Sequence, residues 1–380
     1  MDSNDDRQSE KQEIWSWGAG TDGQLATGLL QDEHIPQLLP FQPSLSFISC
    51  GGAHVVALTP GKKVFTWGRG TSGQLGHGNL VNSLGPKSVD VLNNFKITNV
   101  SAGWNHSGFV TDIGHLLTCG DGSFGQLGLG DNVSQCSPVK VLHFESWHVQ
   151  QIAFGMRHSL ALLKGEKGDQ VYSFGSGKRG QLGISNEKVK SISLPMSVSG
   201  LDQVNVGSIV ANGDHSAAIS DNGHLYTWGR GFDGKPGMCF PERVISMVSF
   251  TQVSLGWNHA LILTEEGEAL MLGSHHGVLK NHQIQNLTKH NINEEQVKKI
   301  CGLNGIKVVG VASGAEHSVL TTENGAVLTW GWGEHGQLGL GDTRDHNNPQ
   351  VVSMGQSGAH EYATSNVYCG SGFTFVVRNL

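Results

Sequence analysis

Charge is scarce in this chain of 380 residues. Only 15% of its residues are charged, the net charge is −7, and the sequence pI is about 6.2. Proteins that bind nucleic acid through their overall charge are basic, so this composition argues against direct, sequence-specific contact with nucleic acid. No apolar run approaches the roughly 18 residues that a membrane-spanning helix needs, and we therefore expect no membrane insertion.

The six cysteines lack a recognisable pattern, because no two of them form a Cys-x-x-Cys pair. Their wide spacing is typical of buried, reduced thiols rather than of disulfides. The first residues have neither the apolar core of a secretory signal nor the arginine-rich composition of a transit peptide. We interpret residues 1–12 as a disordered acidic tail, and we expect a cytoplasmic or nuclear protein.

Catalytic signatures are missing as well. The sequence has no Gly-x-Ser-x-Gly elbow, His-Glu-x-x-His pair, Walker loop or discernible pair of catalytic carboxylates. Stretches such as those that begin at Gly18, Gly68, Gly120 and Gly229 do match the Gly-x-Gly-x-x-Gly dinucleotide fingerprint. A true fingerprint occurs once, between a strand and a helix, whereas these stretches recur and precede no helix. We therefore predict no covalent or hydrolytic enzyme and no bound cofactor.

Glycine, by contrast, is abundant, with 54 residues, and many of the glycines follow a repeat. In its best copy, residues 66–76, an aromatic residue and a glycine are followed by Gly-Gln-Leu-Gly. Five more good copies and one decayed copy follow the same frame, with the aromatic position at Trp17, Cys119, Phe174, Trp228, Trp330 and, in the decayed copy, Leu272. A self-similar period of roughly 50 residues predicts a propeller, a solenoid or another repeat array.

A second landmark, Gly-x-x-His followed by a short apolar run, alternates with the first. Its histidines are His54, His106, His158, His215, His259 and His317, and in a seventh copy Phe373 replaces the histidine. One histidine per repeat is too dispersed to bind a single zinc ion. We interpret each as a buried imidazole hydrogen-bonded to a backbone group. The spacing of His275, His276 and His282 is by itself weak evidence for a metal, and we predict no metal site.

Each period contains signals for four short strands. In the period that contains Cys119, strands are predicted at residues 96–101, 106–111, 115–119 and 138–142. Four-stranded sheets repeated around an axis form a β-propeller, so we predict an all-β fold, a seven-bladed propeller of antiparallel blades over residues 13–379. The first period lacks its Gly-x-x-His half, and residues 366–378 supply it. The N- and C-terminal strands should therefore share one blade and close the ring.

One segment breaks this rhythm. Between residues 275 and 303 no Gly-Gln-Leu-Gly copy survives. Asn293 begins a run with a capping residue and spaced Glu–Lys pairs, which are signals for a short helix. We predict an irregular loop with a short helix inside it, leaving the sixth blade.

The paired landmarks resemble those of the regulator of chromosome condensation repeat family, in seven copies over about residues 13–379. The stretch at residues 330–336 is most similar to the secretion-regulating guanine nucleotide exchange factors of that family. The resemblance implies a protein-binding propeller, either an exchange factor for a small GTPase or a scaffold of a trafficking or chromatin complex. The family's Ran exchange factor uses a protruding wedge loop. The interval from Gly128 to Gly155 is no longer than that from Gly76 to Gly103, so no wedge insertion is predicted in the third blade.

The family also includes a plant UV-B photoreceptor, which suggests a different function. That receptor places Trp-Arg pairs in its Gly-x-x-His turns, where the arginines form salt bridges across a dimer. The matching turns in this chain read Trp104-Asn105 and Trp257-Asn258, and they lie three blades apart. The missing arginines disfavour photoreception, and we expect a monomer.

The candidate partner-binding residues are those that vary between copies inside the Gly-x-x-His landmark. A repeat fixes the frame, so variation within it maps to turns on one face. These turns carry interface-type residues and acidic side chains, and the predicted set is Trp104, Asn105, Met156, Arg157, Asp214, Trp257, Asn258 and Glu316. We expect this set to ring one mouth of the propeller. The alternative is that the two tryptophans cap blade cores, since tryptophan is usually mostly buried.

Overall fold

Seven antiparallel four-stranded sheets make up the protein. The computed structural model describes residues 12–41, 43–165, 169–185, 189–232, 237–274, 297–355 and 364–380. The innermost strand of each sheet contacts the innermost strand of the next, and the last contacts the first, so the sheets form a closed ring. The predicted seven-bladed propeller is confirmed.

The blades are numbered from the one that both chain ends form, and their strands are given from the axis outwards. Blade 1 consists of β27 (Thr364–Cys369), β28 (Phe373–Asn379), β1 (Gln12–Gly18) and β2 (Glu33–Leu39). Blades 2 to 4 consist of β3 (Phe47–Cys50), β4 (His54–Leu58), β5 (Val64–Gly68) and β6 (Ser83–Ser88); β7 (Ile97–Ala102), β8 (His106–Thr111), β9 (Leu116–Gly120) and β10 (Gln135–Lys140); and β11 (Val149–Phe154), β12 (His158–Leu163), β13 (Gln170–Ser176) and β14 (Ser191–Ser197). Blades 5 to 7 consist of β15 (Val206–Asn212), β16 (His215–Ser220), β17 (Leu225–Gly229) and β18 (Met238–Arg243); β19 (Phe250–Leu255), β20 (His259–Thr264), β21 (Ala269–Gly273) and β22 (Lys298–Lys299); and β23 (Val308–Ser313), β24 (His317–Thr322), β25 (Val327–Gly331) and β26 (His346–Val351).

Blade 1 closes the ring as the sequence predicted. Strands β1 and β28 pair along their whole length, from Gln12 opposite Asn379 to Gly18 opposite Phe373. Because this pairing covers what would be two bare sheet edges, both chain ends are tied into one cooperative blade.

The second strand of a blade explains the apolar run that follows each motif histidine. In blades 2 to 7 every residue of this strand is buried. The strand lies between two neighbouring strands and two neighbouring blades, so both of its faces are covered. Val56 of blade 2, for example, shares a hydrophobic cluster with Val100 and Phe109 of blade 3.

The motif histidines connect neighbouring blades. His54 Nε2 lies 2.8 Å from Ser107 Oγ of the next blade, and that hydroxyl donates to Gln74 O at 2.7 Å. Because the hydroxyl proton is used on Gln74, the imidazole must be the donor, which assigns the Nε2–H tautomer. The predicted backbone partner is therefore wrong for five of the six histidines, which contact a serine or threonine hydroxyl. It holds for His215, whose Nε2 lies 2.8 Å from Trp257 O.

Proline protects the outer edge of the ring. The outer strands of blades 1 to 5 and of blade 7 each contain one proline: Pro36, Pro86, Pro138, Pro195, Pro241 and Pro349. Proline cannot donate to a further strand, so it discourages edge-to-edge association of propellers.

The irregular segment of blade 6 needs a partial correction. Residues 275–296, which include the start of the predicted helix and the loop histidines, lie outside the described residues. Lys298 and Lys299, predicted as the end of that helix, are instead the outer strand, paired with Met271 and Leu270. Pairing with the blade edge overrides the local helix signals, which are a weak prior.

The helices found in the described residues are two short 3-10 turns, Asp90–Leu92 and Leu142–Phe144. They occupy equivalent connections into blades 3 and 4, and the second connection carries no insertion relative to the first, as predicted. Within the described residues, no helix has the length and apolarity that crossing a membrane would require.

Candidate partner-binding face

One end of the propeller gathers the variable parts of the repeats. In blade 3, His106 pairs with Gly120, so the turn before β8 and the loop after β9 leave the sheet at the same end. Gly120 has φ of 107°, and a Cβ there would lie 2.4 Å from Asn105 O, which explains why glycine follows the aromatic position. We call this end the turn face; it carries the Gly-x-x-His turns and the Gly-Gln-Leu-Gly loops.

Backbone hydrogen bonds between blades fix the turns. The amide of Trp104 donates to Gly155 O at 3.1 Å, and that of Met156 donates to Gly213 O at 2.8 Å. Similar bonds cross six of the seven blade junctions. At the junction of blades 5 and 6 the Gly213 amide instead meets Asn212 Oδ1 at 2.7 Å, because Asn212 replaces the motif glycine. The side chains on these turns therefore project from a stiff ring.

Two tryptophans meet at the centre of the turn face. The rings of Trp104 and Trp257 are 5.5 Å apart between centroids and tilted by 40°. Each ring lies over the turn of the preceding blade. A Cβ at Gly52 would come within 2.9 Å of the Trp104 ring, and one at Gly213 within 3.0 Å of the Trp257 ring.

This contact was not expected from the sequence, which placed the two turns three blades apart. In a ring of seven, three blades apart is nearly opposite, so large side chains can touch across the axis. Both tryptophans are half-buried, and neither belongs to the hydrophobic clusters found between blades in the described residues. They contact each other across the axis and lie outside the blade cores, so the alternative that they cap blade cores does not describe them.

The channel beneath the tryptophans holds a cavity of about 300 Å³, lined by the seven innermost strands. Polar side chains that line the cavity form hydrogen bonds with backbone groups of the neighbouring innermost strand. Gln151 Nε2 donates to Ile209 O at 3.2 Å, and the Ile209 amide donates to Gln151 Oε1 at 3.0 Å. These amide groups hold blades together and leave little polarity for recognising a ligand.

The predicted set divides into two layers. Trp104, Met156 and Trp257 occupy the first variable position and lie toward the channel. The second variable position holds Asn105, Arg157, Asp214, Asn258 and Glu316. Of these, Asn105, Arg157 and Asp214 contact side chains of the neighbouring loops.

Contacts of these outer residues set their directions. Gln181 Nε2 donates to Asp214 Oδ1 at 3.0 Å, and Asn258 Nδ2 donates to Glu316 Oε1 at 2.5 Å. Asn105 Oδ1 accepts a long hydrogen bond from Gln74 Nε2, at 3.5 Å. The neutral asparagines are therefore held by partners within their own propeller.

Arg157 extends over the ring of Phe124 in the neighbouring loop, with its guanidinium carbon 4.9 Å from the centroid. Lys178 Nζ lies 5.8 Å from the same centroid. Neither Phe124 nor Lys178 was selected from the sequence, because only the Gly-x-x-His turns were compared between copies. The same comparison applied to the loops would have found them.

Three of the ring histidines are not suited to acid–base work near neutral pH. Burial, which disfavours the charged imidazole, lowers the pKa of His54, His106 and His158 to about 3. The described residues contain no cluster of three side chains that could hold a metal ion. The loop histidines His275, His276 and His282 lie outside that part of the chain.

A closed seven-bladed ring with its variable turns and loops on one face defines the class of repeat propellers. The RCC1-like domain model matches residues 13–376, and the chain therefore belongs to the RCC1-like propeller family.

Named relatives within this class differ in function. The chain is 31% identical over 379 residues to the ultraviolet-B receptor UVR8 of Arabidopsis thaliana, covering 96% of this chain and 83% of the receptor. It is 27% identical to the secretion-regulating guanine nucleotide exchange factor of Mus musculus, covering 97% and 83%. The fold matches that of Prp20p from Saccharomyces cerevisiae with a TM-score of 0.78, at 24% identity and covering 97% and 92%.

Proposed function

We propose that this protein is an interaction propeller that binds a protein partner on its turn face, as an exchange-factor-like regulator or scaffold for a small GTPase or a trafficking complex. The observation that carries the proposal is the Trp104–Trp257 pair, half-exposed at the centre of a stiff ring of turns. Tryptophan at the centre of a patch with polar surroundings is the usual composition of an energetic hot spot.

The relatives support this class of function. One is named a guanine nucleotide exchange factor, and Prp20p is a protein with binding properties toward Gsp1p and histones. Exchange activity on a GTPase needs no covalent chemistry from the propeller, which agrees with the lack of catalytic motifs in the sequence. Because Prp20p has binding properties toward histones, a second form of this proposal is a scaffold associated with chromatin.

Photoreception is the second candidate, and the contact between the two tryptophan rings together with the similarity to UVR8 favours it. Against it, the turns carry Asn105 and Asn258, neutral residues that cannot form salt bridges between two propellers. Asn258 is already bonded to Glu316 within its own chain. We therefore rank partner binding above light sensing.

The test uses Trp104→Ala and Trp257→Ala, singly and together, with Trp147→Ala as the matched control. Trp147 is exposed and lies next to the start of β11, at the opposite end of the blades from the turn face. We expect unchanged melting for all variants. Capture of the partner found by affinity purification should weaken by about thirtyfold for the turn-face variants only, the roughly 2 kcal/mol of a hot-spot residue.

Two results would separate the outcomes further. If the turn-face variants fold and still capture the partner as the parent does, the partner-binding face is elsewhere. If they fold and lose the partner, a nucleotide-release assay on a captured GTPase distinguishes an exchange factor from a scaffold.

A further inference from the structure

We propose that the junction of blades 4 and 5 on the turn face binds the carboxylates of an acidic segment of the partner. This inference rests on the proposed function, since it takes the turn face as the partner's site, and it adds the chemistry that the face recognises. The residues that carry it are Arg157, Lys178, Arg179 and Arg230.

The repeat itself provides the reference geometry. At the junction of blades 1 and 2, Arg69 holds Asp22 through two hydrogen bonds, Nε to Oδ1 at 3.0 Å and Nη2 to Oδ2 at 2.6 Å. The amide of Asp22 donates to Gln24 Oε1 at 2.8 Å, and the amide of Arg69 donates to Ala53 O at 2.8 Å. These backbone contacts identify two positions that recur in other blades, and at this junction an acid occupies one and a base the other.

Arginine occupies both positions at the junction of blades 4 and 5. The amide of Arg179 donates to Gln181 Oε1 at 2.8 Å, as Asp22 does to its own loop glutamine. The amide of Arg230 donates to Asp214 O at 2.9 Å, as Arg69 does to its own turn carbonyl. The acid of the reference pair is thus replaced by a second cation, and Arg230 lacks, among the described residues, the paired carboxylate that Arg69 has.

The turn and the loop of blade 4 carry two further cations. Arg157 and Lys178 lie 4.9 Å and 5.8 Å from the centroid of Phe124, and Lys178 precedes Arg179 in the same loop. All four cationic side chains are exposed, and no ion pair within the described residues involves any of them. The nearby carboxylate of Asp214 accepts a hydrogen bond from Gln181.

The chemistry favours carboxylates over a nucleic acid. Guanidinium groups bind carboxylates through paired hydrogen bonds, as the Asp22–Arg69 pair shows in this chain. The bases of a nucleic acid, in contrast, would need an open aromatic surface for stacking. The Phe124 ring is already engaged by two cations.

The sharpest variant is Arg179→Asp, because it rebuilds the acid–base pair of blades 1 and 2 at this junction and should fold. Lys96→Asp is the matched control; Lys96 is exposed and lies just before β7, at the opposite end of the blades. The probe is a short labelled peptide of alternating Glu and Asp, compared by fluorescence anisotropy with its Gln/Asn counterpart and with an oligonucleotide of equal charge.

We expect the acidic peptide to bind, with affinity falling as salt rises, and the neutral peptide not to bind. Arg179→Asp should weaken binding by roughly tenfold or more, the loss of a charge-assisted hydrogen bond, whereas Lys96→Asp should not change it. Equal binding by parent and Arg179→Asp, no peptide binding, or tighter binding of the oligonucleotide would each overturn the inference.

Capture of the intact partner separates this inference from the function it rests on. If Trp104→Ala loses the partner and Arg179→Asp keeps it, the turn face is the site but acidic recognition is refuted. If both variants keep the partner, the proposed face is wrong. Loss with both, together with unchanged melting, supports both statements.

Discussion

Acid should unfold this protein by protonating its ring of buried histidines, and one junction offers a way to test this locally. His106 faces Ser159 across blades 3 and 4, with Nε2 and Oγ 2.9 Å apart. Its Nδ1 is buried and has no hydrogen-bond partner within the described residues, so a proton there would be an unsatisfied buried charge. In blade 1 the equivalent of the histidine is Phe373, and the residue after the motif histidine in blade 2 is Val55. The double variant His106→Phe, Ser159→Val copies that junction.

The expected magnitude follows from the pKa shift. Burial lowers the pKa of His106 to about 3 in the folded protein, while an unfolded histidine titrates near its ordinary value of about 6.5. The folded pKa is the lower one, so the unfolded chain binds the proton more tightly, and stability is complete above pH 6.5 and falls as the pH drops toward 3. At pH 5 the loss is about 2 kcal/mol per histidine, from 1.36 kcal/mol per pKa unit over about 1.5 units.

The same shift applies to His54 and His158, whose pKa values are also lowered to about 3. Together the three residues should remove about 6 kcal/mol between pH 7.5 and pH 5, which is comparable with the whole stability of a typical domain, about 5–15 kcal/mol. The pKa of His215 is lowered as well, which acts in the same direction.

Urea unfolding followed by circular dichroism at pH 7.5 and pH 5 measures this. The double variant should lose about 2 kcal/mol less than the parent between the two pH values. His143→Gln, at an exposed histidine, is the control and should behave as the parent. An equal loss in the double variant and the parent would refute the reasoning. Should the double variant not fold, an NMR titration of the parent decides: a His106 resonance that titrates near pH 6.5 in the folded state contradicts the burial argument.

Three further predictions concern closure, light and the turns. Deleting residues 366–380 removes most of β27 and β28, so the ring should unfold as a whole; a truncated protein that melts at the parent temperature would contradict the pairing of β1 with β28. UV-B irradiation should change neither oligomeric state nor partner binding, because Asn105 and Asn258, which follow the turn tryptophans, are neutral and cannot form salt bridges between two propellers; a shift in elution on size-exclusion chromatography would revive the photoreceptor candidate. Gly120→Ala should destabilise the protein by about 1–3 kcal/mol, since it combines a φ of 107° with a Cβ contact of 2.4 Å to a carbonyl oxygen, whereas Gly85→Ala, which meets nothing within 4 Å, should be neutral in thermal melting.

Local patterns predicted the architecture well because six of the seven blades are each folded from one continuous stretch of the chain. The strand predicted at residues 106–111 is β8, and that at 115–119 is β9 shifted by one residue. The outer strand was predicted at 138–142 but spans Gln135–Lys140, because Gln135 already pairs with Gly120 before a register shift. Such a shift depends on the twist of the blade, which the residue pattern does not encode.

Contacts across the axis could not be predicted in the same way. Trp104 and Trp257 are 153 positions apart in the sequence, and whether their rings meet depends on the diameter of the channel. Nothing in either turn carries that information. The turn positions themselves were predictable, and the direction of the side chains from them was not.

The partners of the ring histidines could have been predicted by comparing each motif histidine with the residue that follows the motif histidine in the next blade. The residue after the motif histidine is serine or threonine in five blades, and in each of these the preceding blade supplies a histidine. In blade 2 the equivalent residue is Val55. The preceding blade has Phe373 in place of the histidine, so no hydroxyl is needed as a hydrogen-bond partner. Ala260 is the exception, because the preceding blade does carry a histidine, His215. That imidazole contacts the Trp257 carbonyl instead of a hydroxyl, and its ring stacks on Phe232 with the centroids 4.4 Å apart.

That exception lies at the junction of blades 5 and 6, where Asn212 also replaces the motif glycine and takes over the inter-blade link. Its Oδ1 accepts from the Gly213 amide and its Nδ2 donates to Leu255 O at 2.5 Å. The junction of blades 5 and 6 therefore departs from the repeat twice, once in its histidine contact and once in its backbone hydrogen bond between blades. Side-chain hydrogen bonds of His215 and Asn212 connect the two blades there instead. A repeat protein can change one junction in this way because, apart from the contact of Trp104 with Trp257 across the axis, the blades pack against their neighbours, so the change does not propagate around the ring.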